Sequence, residues 1–337
     1  MRAEIVAVGE TPEKPKRAVE SPAGRLAALG AGRTSGAGDR VFAAIEFAFA
    51  GLILVIMAVM VVTLVVQAWP SITQFGLGFL TSSTWDPIRN IYGAEPAILG
   101  TIYSSAIALV LAAPVGILSA IFLVEFAPRA IRFPLGFLVE LLAAVPSIVY
   151  GLWALFVLVP IVRVDIETPL IDRFGNLPLF SGYPLGLGML SAGLILAIMI
   201  LPTIAALSRD VLRTVPRSQS EAMLALGATR WQTMWKVVVA YARSGISGAI
   251  ILALGRAVGE TMAVQMVIGS SSHSITWSLF NPATTMPATI VNQFSEATGV
   301  LYRSALFEIA LILMIITLGL NGLARILVWS VQRRGAA

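Results

Sequence analysis

Six apolar runs, at about 42–68, 97–124, 132–160, 185–207, 244–270 and 304–330, leave this chain few ways to fold. Each is long enough to cross a bilayer, which takes about 20 apolar residues. In hydrocarbon a backbone must satisfy its amides internally, and long continuous runs do so as helices. The sequence therefore predicts an all-α integral membrane protein with six transmembrane helices. Composition agrees. The chain is 57% hydrophobic and 12% charged, with a mean hydropathy of +0.87, where a soluble domain carries about 25% charged residues.

The first run comes after a polar leader, residues 1–40, which holds Pro12, Pro15, Pro22 and the basic group KPKR at 14–17. Such a segment buries too little apolar surface to offset the entropy of ordering, so a disordered, basic leader is expected. The apolar run behind it is far longer than the roughly 7–15-residue core of a secretory signal. That favours a retained transmembrane helix over 41–69.

Lysine and arginine supply the direction. Eighteen fall in the leader, the turn near 125–132, the 208–243 loop and the tail; four (Arg89, Arg163, Arg173 and Arg303) fall in the alternate loops. This bias places both termini, including the 331–337 tail, in the cytoplasm of a multi-pass membrane protein. The net charge of +5 is read as membrane orientation, with no nucleic-acid partner. The outer loops, about 69–96, 161–184 and 271–303, are too short to hold a folded domain.

Several chemistries are excluded. The absence of cysteine removes disulfides, thiolate zinc sites and cysteine nucleophiles together. His273, the sole histidine, cannot assemble a metal site alone and reads as a solvated loop residue. The only lysines, Lys14, Lys16 and Lys236, never follow glycine, so the chain has no Walker A loop to hold a nucleotide. Glu140 with Glu260 could imitate the carboxylate pair of an intramembrane protease, but Arg256 beside them speaks against it. No catalytic residue, metal site or cofactor is assigned, and ATP dependence would have to come from another chain.

The loop from 208 to 243 is built to dock. Ser218 and Glu221 form an S-x-x-E capping signature behind Pro216. A short helix is expected over about 219–226, ended by Gly227 in a left-handed conformation. Its centre, Met223-Leu224-Ala225-Leu226, is apolar outside the membrane, which marks either a partner groove or a helix resting on lipid headgroups.

Residues 246–269, ISGAIILALGRAVGETMAVQMVIG, carry Arg256 and Glu260 inside an apolar run. Counted from Ile246 at 1.5 Å per residue, Arg256 stands about 15 Å along the helix, near the middle of a core about 30 Å thick. A charge there costs from about 3 to more than 10 kcal/mol, so a partner is expected. Glu260 comes at i+4 on the same helical face, and Glu140 of the third run falls at similar depth. Glu46 and Glu308 lie close enough to helix ends to reach headgroups.

The trio supports two readings. In one, Glu260 or Glu140 neutralises Arg256 permanently and the three residues pin helices together. In the other, Arg256 faces a cavity where an oxyanion temporarily takes it from its carboxylate, since a guanidinium fork matches phosphate oxygens. The carboxylate then keeps the anion from being trapped. Ser147, Tyr150 and Thr261 would add neutral donors. Pro146 predicts a broken or kinked third span, and Gly255 with Gly259 predicts close approach of another helix.

EAMLALG at 221–227 is similar to the EAA loop of ABC-importer permeases, E-A-A-x3-G-x9-I-x-L-P. Glu221, Ala222 and Gly227 match. Met223, Val237 and Val239-Ala240 depart from it, so the terminal proline that would bend the chain is missing. ELLAAVPSIVYGLW at 140–153 and LGRAVGETMAV at 254–264 resemble the phosphate-specific, PstC-type branch of these permeases. With APVG at 113–116, the resemblance covers about 95–330.

The resemblance implies a type I ABC-importer (MetI-like) permease fold, with a five-helix core over 95–330 and a cytoplasmic coupling loop at 208–243. Its implied partners are a PstA-type sister permease, two PstB-type ATPase subunits and an extracytoplasmic phosphate-binding protein. Inorganic phosphate would move by alternating access along a pathway at Arg256, Glu260, Glu140, Ser147, Tyr150 and Thr261. Ser218, Glu221, Ala222, Met223, Leu224, Leu226 and Gly227 would engage the ATPase. A permease for molybdate or sulfate, the sister permease role, and an ATP-independent anion carrier or channel stay open beside it.

Overall fold

The computed structural model describes residues 37–271 and 277–334. Most of the 1–40 leader, and His273, lie outside the described residues, so the expectations for them have no structural counterpart. The chain divides into two units, Met1–Val59 and Met60–Ala337. What is described of the first is helical, and its large side chains, Phe47 and Leu54 among them, are exposed. Water would reject such a surface and hydrocarbon accepts it.

Among the described residues, six helices are long and apolar enough to cross a membrane: Gly38–Phe75, Glu95–Phe126, Ser147–Phe174, Met189–Arg213, Arg230–Gly259 and Val300–Ile326. In chain order the main helical elements are α1 (Ala37–Phe75), α2 (Glu95–Ile121), α3 (Arg129–Ala144), α4 (Ser147–Trp153) and α5 (Met189–Arg213), then α6 (Arg217–Ala225), α7 (Ala240–Gly259), α8 (Met262–Val267), α9 (Met286–Phe294) and α10 (Val300–Arg334). A π-helical stretch, Met234–Val239, joins the short helix Arg230–Thr233 to α7. Helical backbone therefore runs without a bend-forcing proline from the loop into the fifth span.

The core is centred on α5, the most buried of the spans. Lipid gives helices no hydrophobic reason to associate, so they meet through small residues that let backbones approach. Here α2 and α5 run parallel and exchange glycines. A Cβ on Gly116 would stand 2.9 Å from Ile204, and one on Gly193 would stand 2.5 Å from Ile107. Around this seam pack Ala108, Ala112, Ile195, Met199 and Ile200, joined by Ala253 and Ala257 of α7. A second cluster gathers Phe79, Tyr92, Met286 and Leu306, with the Tyr92 and Tyr302 rings stacked at 5.4 Å.

Two spans differ from the sequence reading. The run at 132–160 is not one helix. α3 stops at Ala144, Val145 is extended (φ −64, ψ 131), and α4 starts at Ser147 behind Pro146. Proline lacks an N–H and pushes the preceding residue out of helical conformation, so the expected break is complete. The crossing segment becomes Ser147–Phe174, and Glu140 belongs to a separate amphipathic helix ahead of it.

The run at 244–270 also breaks, at Glu260, which is extended (φ −70, ψ 129). No proline causes this. The Glu260 carboxylate accepts from the Ala263 amide at 3.4 Å, and the Thr261 hydroxyl donates to the Gly259 carbonyl at 3.3 Å. Such local side-chain bonds compete with helix continuation.

Glu308 corrects a further expectation. It is 6% exposed and sits beside Ser71 inside the protein. The neighbouring Ser304 hydroxyl accepts from the Ser71 amide at 2.8 Å, tying α10 to α1.

Candidate functional site

Two interrupted helices meet beside Arg256. α8, which resumes after the Glu260 break, packs on α4, which resumes after the Pro146 break. Gly151 permits the contact: a Cβ there would lie 2.8 Å from the Met266 sulfur and 3.0 Å from the Ala263 Cα. Non-helical backbone within a membrane is tolerated where it is buried in protein or lines an aqueous cavity. Pairs of discontinuous helices build substrate sites in many transporters.

Arg256 occupies the last turn of α7, where helix carbonyls favour a cation. It is half-buried and donates to the Thr203 hydroxyl of α5 at 3.2 Å. Among the described residues it takes part in no ion pair. The charge of Arg256 acts on Tyr150, whose hydroxyl donates to the Leu142 carbonyl at 2.8 Å. That bond spans the Pro146 break and holds its two sides together. Asn321 of α10 lies 3.6 Å from where a Gly255 Cβ would be, with its carbonyl oxygen buried and unpartnered.

The predicted residues are thus partly gathered. Arg256, Tyr150, Ser147, Glu260 and Thr261 all belong to the two breaks or to the turns flanking them. Glu260 leaves the α7 face on which i+4 spacing placed it, because the helix ends one residue earlier, and it caps α8 instead. Glu140 is redirected as well. It accepts from Arg209 Nη2 at 2.6 Å, and Arg209 also holds Asp210 at 3.2 Å. Neither carboxylate neutralises Arg256. Of the predicted close-approach pair, Gly255 meets Asn321, while a Cβ on Gly259 would meet nothing within 4 Å. Thr203, at Arg256, and Asn321, at Gly255, escaped sequence reasoning, since only the fold brings them there.

At the opposite end of the fifth span lies the docking loop. α6 spans Arg217–Ala225 with Pro216 before it, and no side chain caps its start. Ser218 and Glu221 fall inside the helix, so their capping box does not form. The reciprocal box lies at Thr229 and Gln232, with bonds of 3.0 and 3.2 Å. The C-terminus closes as expected. Gly227 has φ +83, the Ala228 amide reaches the Met223 carbonyl at 3.3 Å, and the Gly227 amide reaches Leu224 at 3.0 Å. This pair of bonds is a Schellman ending. Ala222, Leu224 and Leu226 are exposed and Met223 half-buried, with Leu226 at 84%.

Residues 112–333 match the family described as binding-protein-dependent transport system inner membrane component. The chain belongs to that family. Members of this permease family are membrane-embedded transport components, not enzymes, and they work with an ATPase and a substrate-binding protein. Within it, the chain is 45% identical over 303 residues to the phosphate transport system permease protein PstC of Mesorhizobium japonicum, covering 89% of this chain and 92% of the relative. It is also 45% identical over 290 residues to the protein of the same name from Pasteurella multocida, covering 85% and 90%. Among solved structures, a chain of the bacterial alginate ABC transporter aligns at a TM-score of 0.52 and 13% identity, over 85% of this chain and 96% of that one. That likeness concerns the fold alone, and the fold is the all-helical one of type I importer permeases.

Proposed function

We propose that this permease conducts inorganic phosphate into the cytoplasm by alternating access, as one half of an ATP-driven importer. The observation that carries the reading is Arg256, a half-buried guanidinium whose partner is a neutral hydroxyl, at the junction of two broken helices. A cation already neutralised would have little to offer an anion. This one keeps its donors for a phosphate, and the Thr203 hydroxyl stands near to share the load, while the Tyr150 hydroxyl holds the Leu142 carbonyl across the break. Glu260, one residue beyond the end of α7, limits how tightly an anion is held without occupying Arg256 itself. Ser147 and Thr261 contribute hydroxyls at the two breaks.

The transport core is residues 95–330, with both termini and the 208–243 loop in the cytoplasm. A PstA-type permease completes the membrane pair, two PstB-type ATPases grip the exposed Met223–Gly227 turn, and an extracytoplasmic phosphate-binding protein delivers the substrate. The names of the relatives and the matching motifs support these assignments.

The test is Arg256→Gln in the assembled transporter. Uptake of radiolabelled phosphate should vanish while assembly and ATP hydrolysis persist; normal uptake would sink the direct role, and lost assembly would make Arg256 a structural pin. Competition by molybdate and sulfate in the same assay separates phosphate from other oxyanions.

A further inference from the structure

Two cavities adjoin the 208–243 loop and share a wall of arginines. The smaller, about 330 Å³, is lined by Arg129, Arg132, Arg209 and Arg213, with Glu140 as its acidic residue. The larger, about 660 Å³, is lined by Arg132, Arg213 and Arg217, with Glu125, Glu221 and Ser220. Arg132 and Arg213 therefore face both spaces. Among the described residues, none of Arg129, Arg132, Arg213 and Arg217 takes part in an ion pair. Arg132 donates through Nη2 to the Ala127 carbonyl at 3.2 Å, yet its Nε is buried with no partner.

The fold supports this cluster from behind. Arg209 is 6% exposed and packs on α3 at Gly136, where a Cβ would stand 2.8 Å from its Nη1. Its own charge is spent on Glu140 and Asp210. Among the guanidiniums that remain, Arg132 is half-buried with its Nε unmatched, and Arg129, Arg213 and Arg217 are exposed. Basic residues on an inner face commonly serve only to set orientation, but such side chains point outward to headgroups. Arg132 and Arg213 instead line two concave, partly open cavities.

We propose that the cavity wall formed by Arg132 and Arg213 binds a phosphate-type oxyanion, distinct from the Arg256 pathway. Guanidinium forks suit the several oxygens of a phosphate. The ligand is either inorganic phosphate on the side that receives it or the phosphate of an anionic lipid headgroup. Arg217, Ser220 and Glu221 of α6 line the same cavity as Arg132 and Arg213, so an anion there ties α3 to the helix that engages the ATPase. Its occupancy slows coupling, which makes the site a product sensor. This inference rests on the reading of the chain as a phosphate permease.

Proteoliposomes of phosphatidylcholine holding the complete transporter, with ATP and phosphate or chloride enclosed, provide the test. The readout is the initial rate of ATP-driven uptake of external labelled phosphate. Enclosed millimolar phosphate should slow the natural transporter at least about fivefold, the low end of ordinary coupling between sites. The double variant Arg132→Gln/Arg213→Gln should lose most of that slowing while matching the natural rate with chloride inside.

If added phosphatidylglycerol slows the natural transporter and abolishes its response to enclosed phosphate, and the variant escapes both effects, the headgroup is the source. Equal slowing of the natural and variant transporters in both lipids overturns the proposal. Failure of the natural transporter to import phosphate with chloride inside would instead refute the transport function itself. Should the double variant not assemble, each single variant reads the same effect at partial strength, and an unchanged response in both is equally fatal.

Discussion

Arg209 of α5 holds Glu140 of α3 at 2.6 Å, with the Arg209 side chain 7% exposed and the Glu140 side chain 58% exposed. This pair fastens the amphipathic helix before the Pro146 break to the most buried span. It also keeps Glu140 from pairing with Arg256. Glu140→Gln should therefore leave phosphate uptake within about twofold of normal. The lost exposed half of the pair should cost roughly 1 kcal/mol, within the range of partly solvated ion pairs. Thermal unfolding of the purified complex, beside an uptake assay, checks both; a collapse of uptake comparable to that of Arg256→Gln would return Glu140 to the pathway.

Thr203→Val keeps the volume of the side chain and deletes the hydroxyl that accepts from Arg256. A hydrogen bond to a charged group is worth about 1.5–3 kcal/mol, so uptake efficiency should fall at least roughly tenfold. ATP hydrolysis and assembly should not change. Unaltered uptake kinetics would mean that the Thr203 contact does not position the guanidinium.

Gly151 separates α4 from α8 by less than a side chain. Gly151→Val must push these two short helices apart, and overpacking of this kind costs about 1–3 kcal/mol. The expected result is a complex that assembles but imports at a small fraction of the normal rate, with Gly151→Ala intermediate. Equal rates for all three would show that the contact between the broken helices carries no part of the transport cycle.

Gly227→Ala tests the end of the docking helix. A side chain at φ +83 costs about 1–2 kcal/mol, while asparagine tolerates that region better. Hydrogen exchange at the Gly227 and Ala228 amides should accelerate in the alanine variant, and transport per ATP hydrolysed should drop. Removing Met223–Leu226 should uncouple the two altogether. Transport untouched by that deletion would favour a carrier that needs no ATPase.

The six apolar helices and the glycine-ended helix of the 208–243 loop were legible because long apolar runs and a glycine C-cap carry their signal locally. The break at Pro146 was also legible, but its consequence was not. Ala143, Ala144 and Val145 are as apolar as the span they precede, so hydropathy merged α3 with α4 and carried Glu140 along. At Glu260 nothing local announces a stop. The break depends on a carboxylate choosing the Ala263 amide over a place on α7, and i+4 spacing assumed a helix that ends first. Arg209 was counted with the loop charges and proved to be buried. Thr203 reaches Arg256, and Asn321 reaches Gly255, only through packing of distant segments, which no spacing rule encodes.

The stretch from Arg230 to Gly259 is continuous helical backbone, about 45 Å long at 1.5 Å per residue. Its foot is fixed by the Thr229–Gln232 box next to the docking helix, and its tip carries Arg256. A lever of that length converts a five-degree tilt at the foot into roughly 4 Å of travel at the tip, by the same rise. That is more than the length of the bond from Arg256 to Thr203. In the proposed cycle, a small rotation at the foot would be enough to carry the cation off its present neighbour.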